Sequence, residues 1–224
     1  KIIKLAKKTG CRLHVFHLST KSEAKLFSKA ETLKNKKITS EACIHHLTFN
    51  EDDYKTKKGL IKWNPSVKNE DNRQGLWDSM IEGRIDVIAT DHAPHTLDEK
   101  SKNYLECPSG GPMVQHSLNV MYEHFLNNRI TIEDIVQKMC HNPAIIFGIK
   151  KRGFIRQNYF ADLVVLDPRK SYRVNKSNIL YKCGWSPFEG KKFNSVITNT
   201  FVNGNLVYNN GIIDEKFRGE KIIF

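Results

Sequence analysis

The sequence predicts an α/β fold, with a parallel sheet and helical crossovers in its first part and a small β module at its end. Three observations lead there. Short β-rich runs alternate with amphipathic runs through about the first ninety residues. The compact apolar, β-branched run Val87 to Thr90 ends abruptly in Asp91-His-Ala-Pro-His95, as a buried strand does on reaching a loop. From about Lys150 the texture changes to short β runs separated by turn dipeptides. The expected segments are therefore 1–149 and 150–224.

Taken in order, Lys1 to Gly10 reads as the end of an amphipathic helix running into a strand, so the chain is expected to start in mid-fold. Arg12 to Leu18 alternates and reads as a strand. Ser19 or Thr20 then caps a helix, Glu23 completes a capping box, and Ala24, Phe27, Ala30 and Leu33 form its apolar stripe. Ile38 to Cys43 is a second strand. In Ile44-His-His-Leu47 the two histidines of an extended chain would point in different directions, one towards a site and the other packed or capping. Lys62 to Ser66 is irregular, because Pro65 disfavours helix at Asn64. Asn69 caps a helix with Leu76, Trp77, Met80 and Ile81 on one face, ending at Gly83. After the strand Val87 to Thr90, the stretch Thr96 to Gly111 has little periodicity and reads as a mobile loop over the strand ends. Helices follow at about Met113 to Asn127 and from Thr131, capped with Asp134, to Cys140, with a further helical turn from Pro143 to Phe147. The tail holds β runs at Phe154-Ile155, Leu163 to Leu166, Ser195 to Phe201 and Leu206 to Tyr208, with turns at Asn203-Gly204 and Asn209-Asn210-Gly211.

Composition narrows the function. Lys and Arg outnumber Asp and Glu by 36 to 24, a net charge of +12. The lysines are dispersed, with only short runs such as Lys34 to Lys37 and no aromatic-interleaved basic motif, so no nucleic-acid partner is expected. No stretch has the apolar length that crosses a membrane, and no membrane partner is expected. The cysteines, Cys11, Cys43, Cys107, Cys140 and Cys183, are scattered without a C-x-x-C pair. That pattern favours a reduced, cytoplasmic protein over a disulfide framework or a cysteine zinc finger.

Asp91 to His95 packs one carboxylate and two imidazoles into five residues, the densest set of metal-binding and proton-carrying groups in the sequence. Strand ends of a parallel α/β barrel are where catalytic groups sit; an aspartate there is also a common turn or helix cap. His17 likewise ends a strand, as a ligand or as a core histidine. Gly110-Gly111 allows backbone to approach a ligand, or a helix to begin.

His14-Val-Phe-His-Leu-Ser-Thr20, Thr39-Ser-Glu-Ala-Cys-Ile-His-His-Leu47, Asn64-Pro-Ser-Val-Lys68, Asp86 to His95 and Lys182-Cys-Gly-Trp-Ser-Pro-Phe-Glu-Gly190 resemble, in order, the dihydroorotases of the amidohydrolase superfamily. Asp-His-Ala-Pro-His alone would indicate only a cyclic amidohydrolase; the tail motif narrows the resemblance. It implies the C-terminal part of a (β/α)8 metal-dependent hydrolase barrel, from about the sixth strand onward, with a small flanking β-sandwich module. It implies reversible, zinc-dependent hydrolysis of (S)-dihydroorotate to N-carbamoyl-L-aspartate in pyrimidine synthesis, using one or two Zn2+ ions. His17 would be a metal ligand, Asp91 would touch metal and move the proton, and Asn64, His95 and the segment with Pro108, Gly110 and Gly111 would bind substrate. The remaining ligands are expected upstream of Lys1, so the 224 residues alone are expected to be inactive. A homodimer or association with aspartate transcarbamoylase is the implied assembly. Two departures stand out: Lys68 replaces the arginine common after the Asn-Pro loop, and Asn158 replaces a glycine in a turn where asparagine also tolerates a left-handed backbone. A hydantoinase, an allantoinase or a non-catalytic assembly partner are the competing readings.

Overall fold

In the computed structural model, which describes residues 1–29 and 32–224, helix α1 (Ile2–Thr9) stops at Gly10. Its φ of 71° is a left-handed conformation that glycine adopts without steric cost. Strand β1 (Leu13–Val15) follows, shorter than the run from Arg12 to Leu18. Thr20 then caps α2 (Lys21–Ala24), its hydroxyl accepting from the Glu23 amide at 3.2 Å. The Glu23 carboxylate in return accepts from the Thr20 hydroxyl at 2.8 Å and the Ser19 amide at 3.4 Å. The helix lasts one turn rather than running to Leu33. Phe27 turns inward to be buried, and its carbonyl is taken by the Arg84 guanidinium at 2.8 Å instead of a further helical turn. Ala30 lies outside the described residues.

β2 (Ile38–Cys43) runs parallel to β1 on one side and to β3 (Val87–Ala89) on the other. At the foot of this sheet Asp86 accepts from Lys36 Nζ at 2.8 Å and from the Ser40 amide at 3.0 Å, and Lys36 also donates to the carbonyls of Gly83 and Arg84. The Lys36 and Asp86 side chains are 5% and 2% exposed, a burial that two charges tolerate only when paired.

The residues after β2 are not extended; they form α3 (Ile44–Thr48). The cause is tertiary. Trp77 Nε1 donates to the Leu47 carbonyl at 2.9 Å and Arg73 to the Thr48 carbonyl at 2.6 Å, so the chain folds back onto the helix that carries those donors. His45 and His46 are both buried. A short turn, α4 (Tyr54–Lys57), precedes α5 (Glu70–Ile81), which Asn69 caps as expected. Leu76, Trp77 and Met80 are buried, whereas Ile81 is 58% exposed. At about 100° per residue Ile81 lies beyond the arc of the other three.

The stretch from Thr96 to Gly111 is not the loose loop its composition suggested. It contains α6 (Leu97–Lys100), closed by a capping box between Thr96 and Glu99, and lysine side chains tie the rest down. The next helix, α7 (Ser117–Leu126), follows a 3-10 turn at Val114–His116. Thr131 caps α8 (Ile132–Val136), accepting from the Asp134 amide at 3.1 Å. A wide π turn, Gln137–His141, leads into α9 (Asn142–Ile146), where Pro143 lacks the amide that a regular helix would use.

The tail strands are β4 (Leu163–Asp167), β5 (Tyr172–Arg173), β6 (Lys192–Phe193), β7 (Val196–Val202), β8 (Asn205–Asn209) and β9 (Ile212–Ile213). They form an antiparallel sheet in the order β4-β7-β8-β9 and a separate β5-β6 pair. Asn203 and Gly204 have φ of 52° and 82°, and Asn210 and Gly211 46° and 97°, as two-residue hairpins require. Asn158 has φ of 67°, so asparagine does serve the left-handed turn. Phe154-Ile155 is not a strand: Phe154 stacks on His141 at 4.2 Å and Ile155 is 88% exposed.

Contacts gather the chain into two units, Lys1–Ser117 with Ile179–Pro187, and Leu118–Asn178 with Phe188–Phe224. These differ from the segments 1–149 and 150–224: the helices after Ser117 join the tail, and residues 179–187 return to the first unit. No helix among the described residues is long and apolar enough to cross a membrane.

Candidate active site

His17 and Asp91 occupy equivalent places, each two residues beyond the last residue of a strand, at the carboxyl ends of β1 and β3. Both have left-handed backbones, with φ of 37° and 43°. That conformation is uncommon for residues with a Cβ, and such strain concentrates at functional sites. The His17 amide donates to Glu41 Oε1 at 3.4 Å. Glu41 Oε2 lies 3.1 Å from His14 Nε2, and His14 Nδ1 meets the Thr39 hydroxyl at 2.8 Å. Since β1 and β3 both pair with β2, the strands bearing His17 and Asp91 lie roughly 10 Å apart, with the end of β2 between them. That end is dry. Burial first, then the carboxylates of Glu41 and Asp91, push the Cys43 thiol well up. Burial first, then His46 and His17, hold His45 well below the ordinary histidine range.

Beyond Asp91 the chain is closely tied. His92 Nδ1 accepts from the amides of Met113 and Val114 at 3.0 and 3.3 Å, which makes it an end-cap for the 3-10 turn there. Its backbone bridges to Gly111. The His95 ring approaches the Ser109 carbonyl through Nε2 at 3.1 Å, and its own carbonyl accepts from Trp185 Nε1 at 2.8 Å. Gly110 donates to the Lys62 carbonyl at 2.9 Å with φ of 123°, and a Cβ there would sit 2.5 Å from the Ala93 carbonyl oxygen. A Cβ on Gly111 would lie 2.9 Å from the Trp63 ring. Only glycines allow the two strand-end segments to close on the loop that carries Asn64, which is exposed.

Asp91, His95, Pro108, Gly110, Gly111 and the Asn64 loop are thus brought to one place, while His17 stands across β2 beside His45 and His46. Glu41, Trp63 and Trp185 support these residues and were not singled out from sequence, whereas His92, one of the two imidazoles of the Asp91 to His95 cluster, serves as an end-cap. Glu41 had a signal, a carboxylate inside an otherwise apolar and small-residue strand; Trp185 lay within the tail motif.

An imidazole nitrogen and a carboxylate oxygen are donors that zinc accepts. Among the described residues no group of three or more His, Cys, Asp or Glu is placed to hold a metal ion. His17 and Asp91 have side chains of the types that zinc accepts, and two such donors are fewer than a zinc shell needs.

Comparison with known proteins bears on the chain as a whole. Residues 1–207 match the Amidohydrolase family. The dihydroorotase of Ligilactobacillus salivarius is 36% identical over 205 residues, 91% of this chain and 48% of that protein. The allantoinase of Salmonella newport is 29% identical over 209 residues, 93% of this chain and 46% of that protein. The L-hydantoinase (dihydropyrimidinase) of Arthrobacter aurescens superposes with a TM-score of 0.84 at 27% identity, covering 95% of this chain and 48% of that one. The chain spans about half the length of the curated relatives it matches. With the family match running over nearly its whole length, this chain belongs to the amidohydrolase family.

Proposed function

We propose that this chain is the C-terminal part of a dihydroorotase, a zinc-dependent (β/α)8 enzyme with a flanking β-sandwich that interconverts (S)-dihydroorotate and N-carbamoyl-L-aspartate. The observation that carries the reading is the matched pair of left-handed residues, His17 and Asp91, on strands flanking β2. His17 would hold zinc through its imidazole and Asp91 through its carboxylate. Zinc, when bound, supplies a water acidic enough to attack at neutral pH. Asp91 would be the proton carrier, its carboxylate accepting a proton on the attacking side and giving it up to the ring nitrogen as the C–N bond breaks, so that one group could serve both directions. His95, whose Nε2 donates to the Ser109 carbonyl and whose Nδ1 lies 3.9 Å from the Glu99 carboxylate, would bind substrate beside that segment. Asn64 would bind the carboxylate through its amide, and Pro108, Gly110 and Gly111 would form the edge against the ring.

The tail motif Lys182 to Gly190 favours dihydroorotate over other cyclic amides, and Trp185 within it holds the His95 backbone. The five free cysteines support a reducing, cytoplasmic setting. Small-molecule turnover needs no partner; a homodimer, or association with aspartate transcarbamoylase, belongs to the same reading. Hydantoinase or allantoinase activity is the second reading, supported by the structural and sequence relatives of those names. The test is turnover of dihydroorotate, hydantoin and allantoin by the native protein, with zinc content measured for wild type and His17→Ala. Turnover of dihydroorotate alone and loss of zinc from the variant are expected. Equal zinc in both proteins would make His17 a core histidine.

A further inference from the structure

Two lysines hold the 104–110 segment in a way that neither net charge nor ion pairing explains. Lys62 Nζ donates to three backbone carbonyls, those of Tyr104 at 2.6 Å, Cys107 at 2.7 Å and Leu105 at 3.4 Å. An ammonium group has three donors, so this set uses all of them. Lys100, 2% exposed, donates to the carbonyls of Pro108 at 2.9 Å and Lys62 at 3.2 Å. The Lys62 carbonyl is therefore shared between Lys100 Nζ and the Gly110 amide. The two ammonium groups and that one carbonyl connect α6, the 104–110 segment and the start of the Asn64 loop. On the far side the segment lies flush against Gly59, where a Cβ would sit 2.9 Å from Cys107 Sγ and 2.8 Å from the Lys100 carbonyl.

We propose that Lys62 and Lys100 are positioning residues, a pair of ammonium clamps that set the height of the Pro108, Gly110 and Gly111 edge against the Asn64 loop and so shape the substrate site. The proposal rests on the reading of that edge as substrate-contacting. A planar, forked guanidinium cannot converge on three carbonyls as a rotatable ammonium does, so lysine is the residue this arrangement requires. Desolvation by burial lowers Lys100 to about 8, a cost of holding the ammonium inside that its carbonyl hydrogen bonds must offset. Removing either clamp leaves carbonyls unpaired and releases the segment, which weakens substrate binding in ground and transition states alike.

Cys107 reports on the clamp without any need for turnover, because it is 2% exposed beneath the segment. In the native protein, Lys62→Met and Lys100→Met are expected to speed alkylation of Cys107, read by peptide mass analysis, by about tenfold or more. Cys43, buried at the end of β2, should label as slowly as in wild type and so certifies the fold. KM for dihydroorotate should rise about tenfold with kcat little changed, as for uniform binding lost. If Lys100→Met exposes Cys43 and has unfolded, Lys62→Met, whose side chain is only half-buried, decides the matter. Unchanged Cys107 labelling in a folded variant overturns the clamp. Faster labelling with unchanged KM overturns the positioning role while leaving the clamp in place. Absence of dihydroorotate turnover in wild type is a failure of the functional reading, and the labelling result stands apart from it.

Discussion

At the end of β3, Asp91 runs into a stretch whose neighbours are fixed from many directions: His92 by the amides of Met113 and Val114, His95 by Ser109 and Trp185, Gly110 by Lys62. At the end of β1, His17 has the same left-handed backbone, yet its amide rests on one carboxylate, Glu41, at 3.4 Å. The difference teaches that the Asp91 end keeps its shape through redundancy, whereas the His17 end leans mainly on one residue, Glu41, whose carboxylate meets the His17 amide and whose carbonyl accepts from the Leu18 amide at 2.8 Å. Substitutions on the two sides should therefore fail differently.

The largest effect is expected from Asp91→Asn in the native protein. Because the surroundings hold the backbone independently of the carboxylate, the variant should fold normally and keep its KM. The rate should fall by about 10^2 to 10^4-fold, since the amide cannot carry the proton. Near-normal turnover would remove Asp91 as the proton carrier. A smaller effect should come from acid. Burial lowers His46 and His116 from 6.5 to about 4. The folded values lie below the unfolded one, so the unfolded chain takes up protons first as pH falls. The stability is complete above pH 6.5 and is lost between 6.5 and about 4, by roughly 3 kcal/mol for each histidine. His46 Nε2 faces the Pro65 carbonyl at 3.0 Å and its Nδ1 is buried without an acceptor, so protonation has nowhere to place the second N–H. Urea midpoints at pH 7.5, 5.5 and 4.5 should fall steeply in wild type and less in His46→Gln; parallel curves would show that His46 is not held neutral. The smallest effect, about 0.5–1 kcal/mol, should come from Glu41→Gln, because the amide keeps one accepting oxygen and forfeits only part of the contacts to His14 and the His17 amide. It should loosen the His17 turn, seen as faster exchange of the His17 amide, and leave the amides of Met113 and Val114 unchanged. Equal loosening at both strand ends would erase the comparison.

The parts of this molecule that could be read from sequence are those decided by neighbours along the chain. Asn203-Gly204 and Asn210-Gly211 announce hairpins because only such residues take positive φ cheaply, and Asn69 and Thr131 announce helices because their side chains reach amides three residues on. Val87 to Ala89 was visible as a dense apolar run. What remained hidden was decided across the fold. Nothing within Ile44-His-His-Leu47 reveals that Trp77 and Arg73 will take its carbonyls, and nothing around Phe27 reveals Arg84. Lys62 and Lys100 looked like ordinary solvated lysines. Of the site, the strand-end residues and the glycine pair could be named beforehand, since their chemistry or their lack of a Cβ marks them. The packing that gathers Trp63 and Trp185 about them has no local signature.

The buried pair at the foot of the sheet bears on the site at its head. A strand alternates its side chains, so a slip of β3 by one residue would turn every one of them to the opposite face. Such a slip would also withdraw the Asp86 carboxylate from Lys36 Nζ and the Ser40 amide and leave it unpaired in the interior. Asp86 thereby acts as an indexing mark: it admits one alignment of β3 on β2, and that alignment delivers Asp91, five positions along the same strand and turn, level with the end of β2. The accuracy with which a proton could be placed at the mouth of the site is set by an ion pair at the opposite end of the sheet.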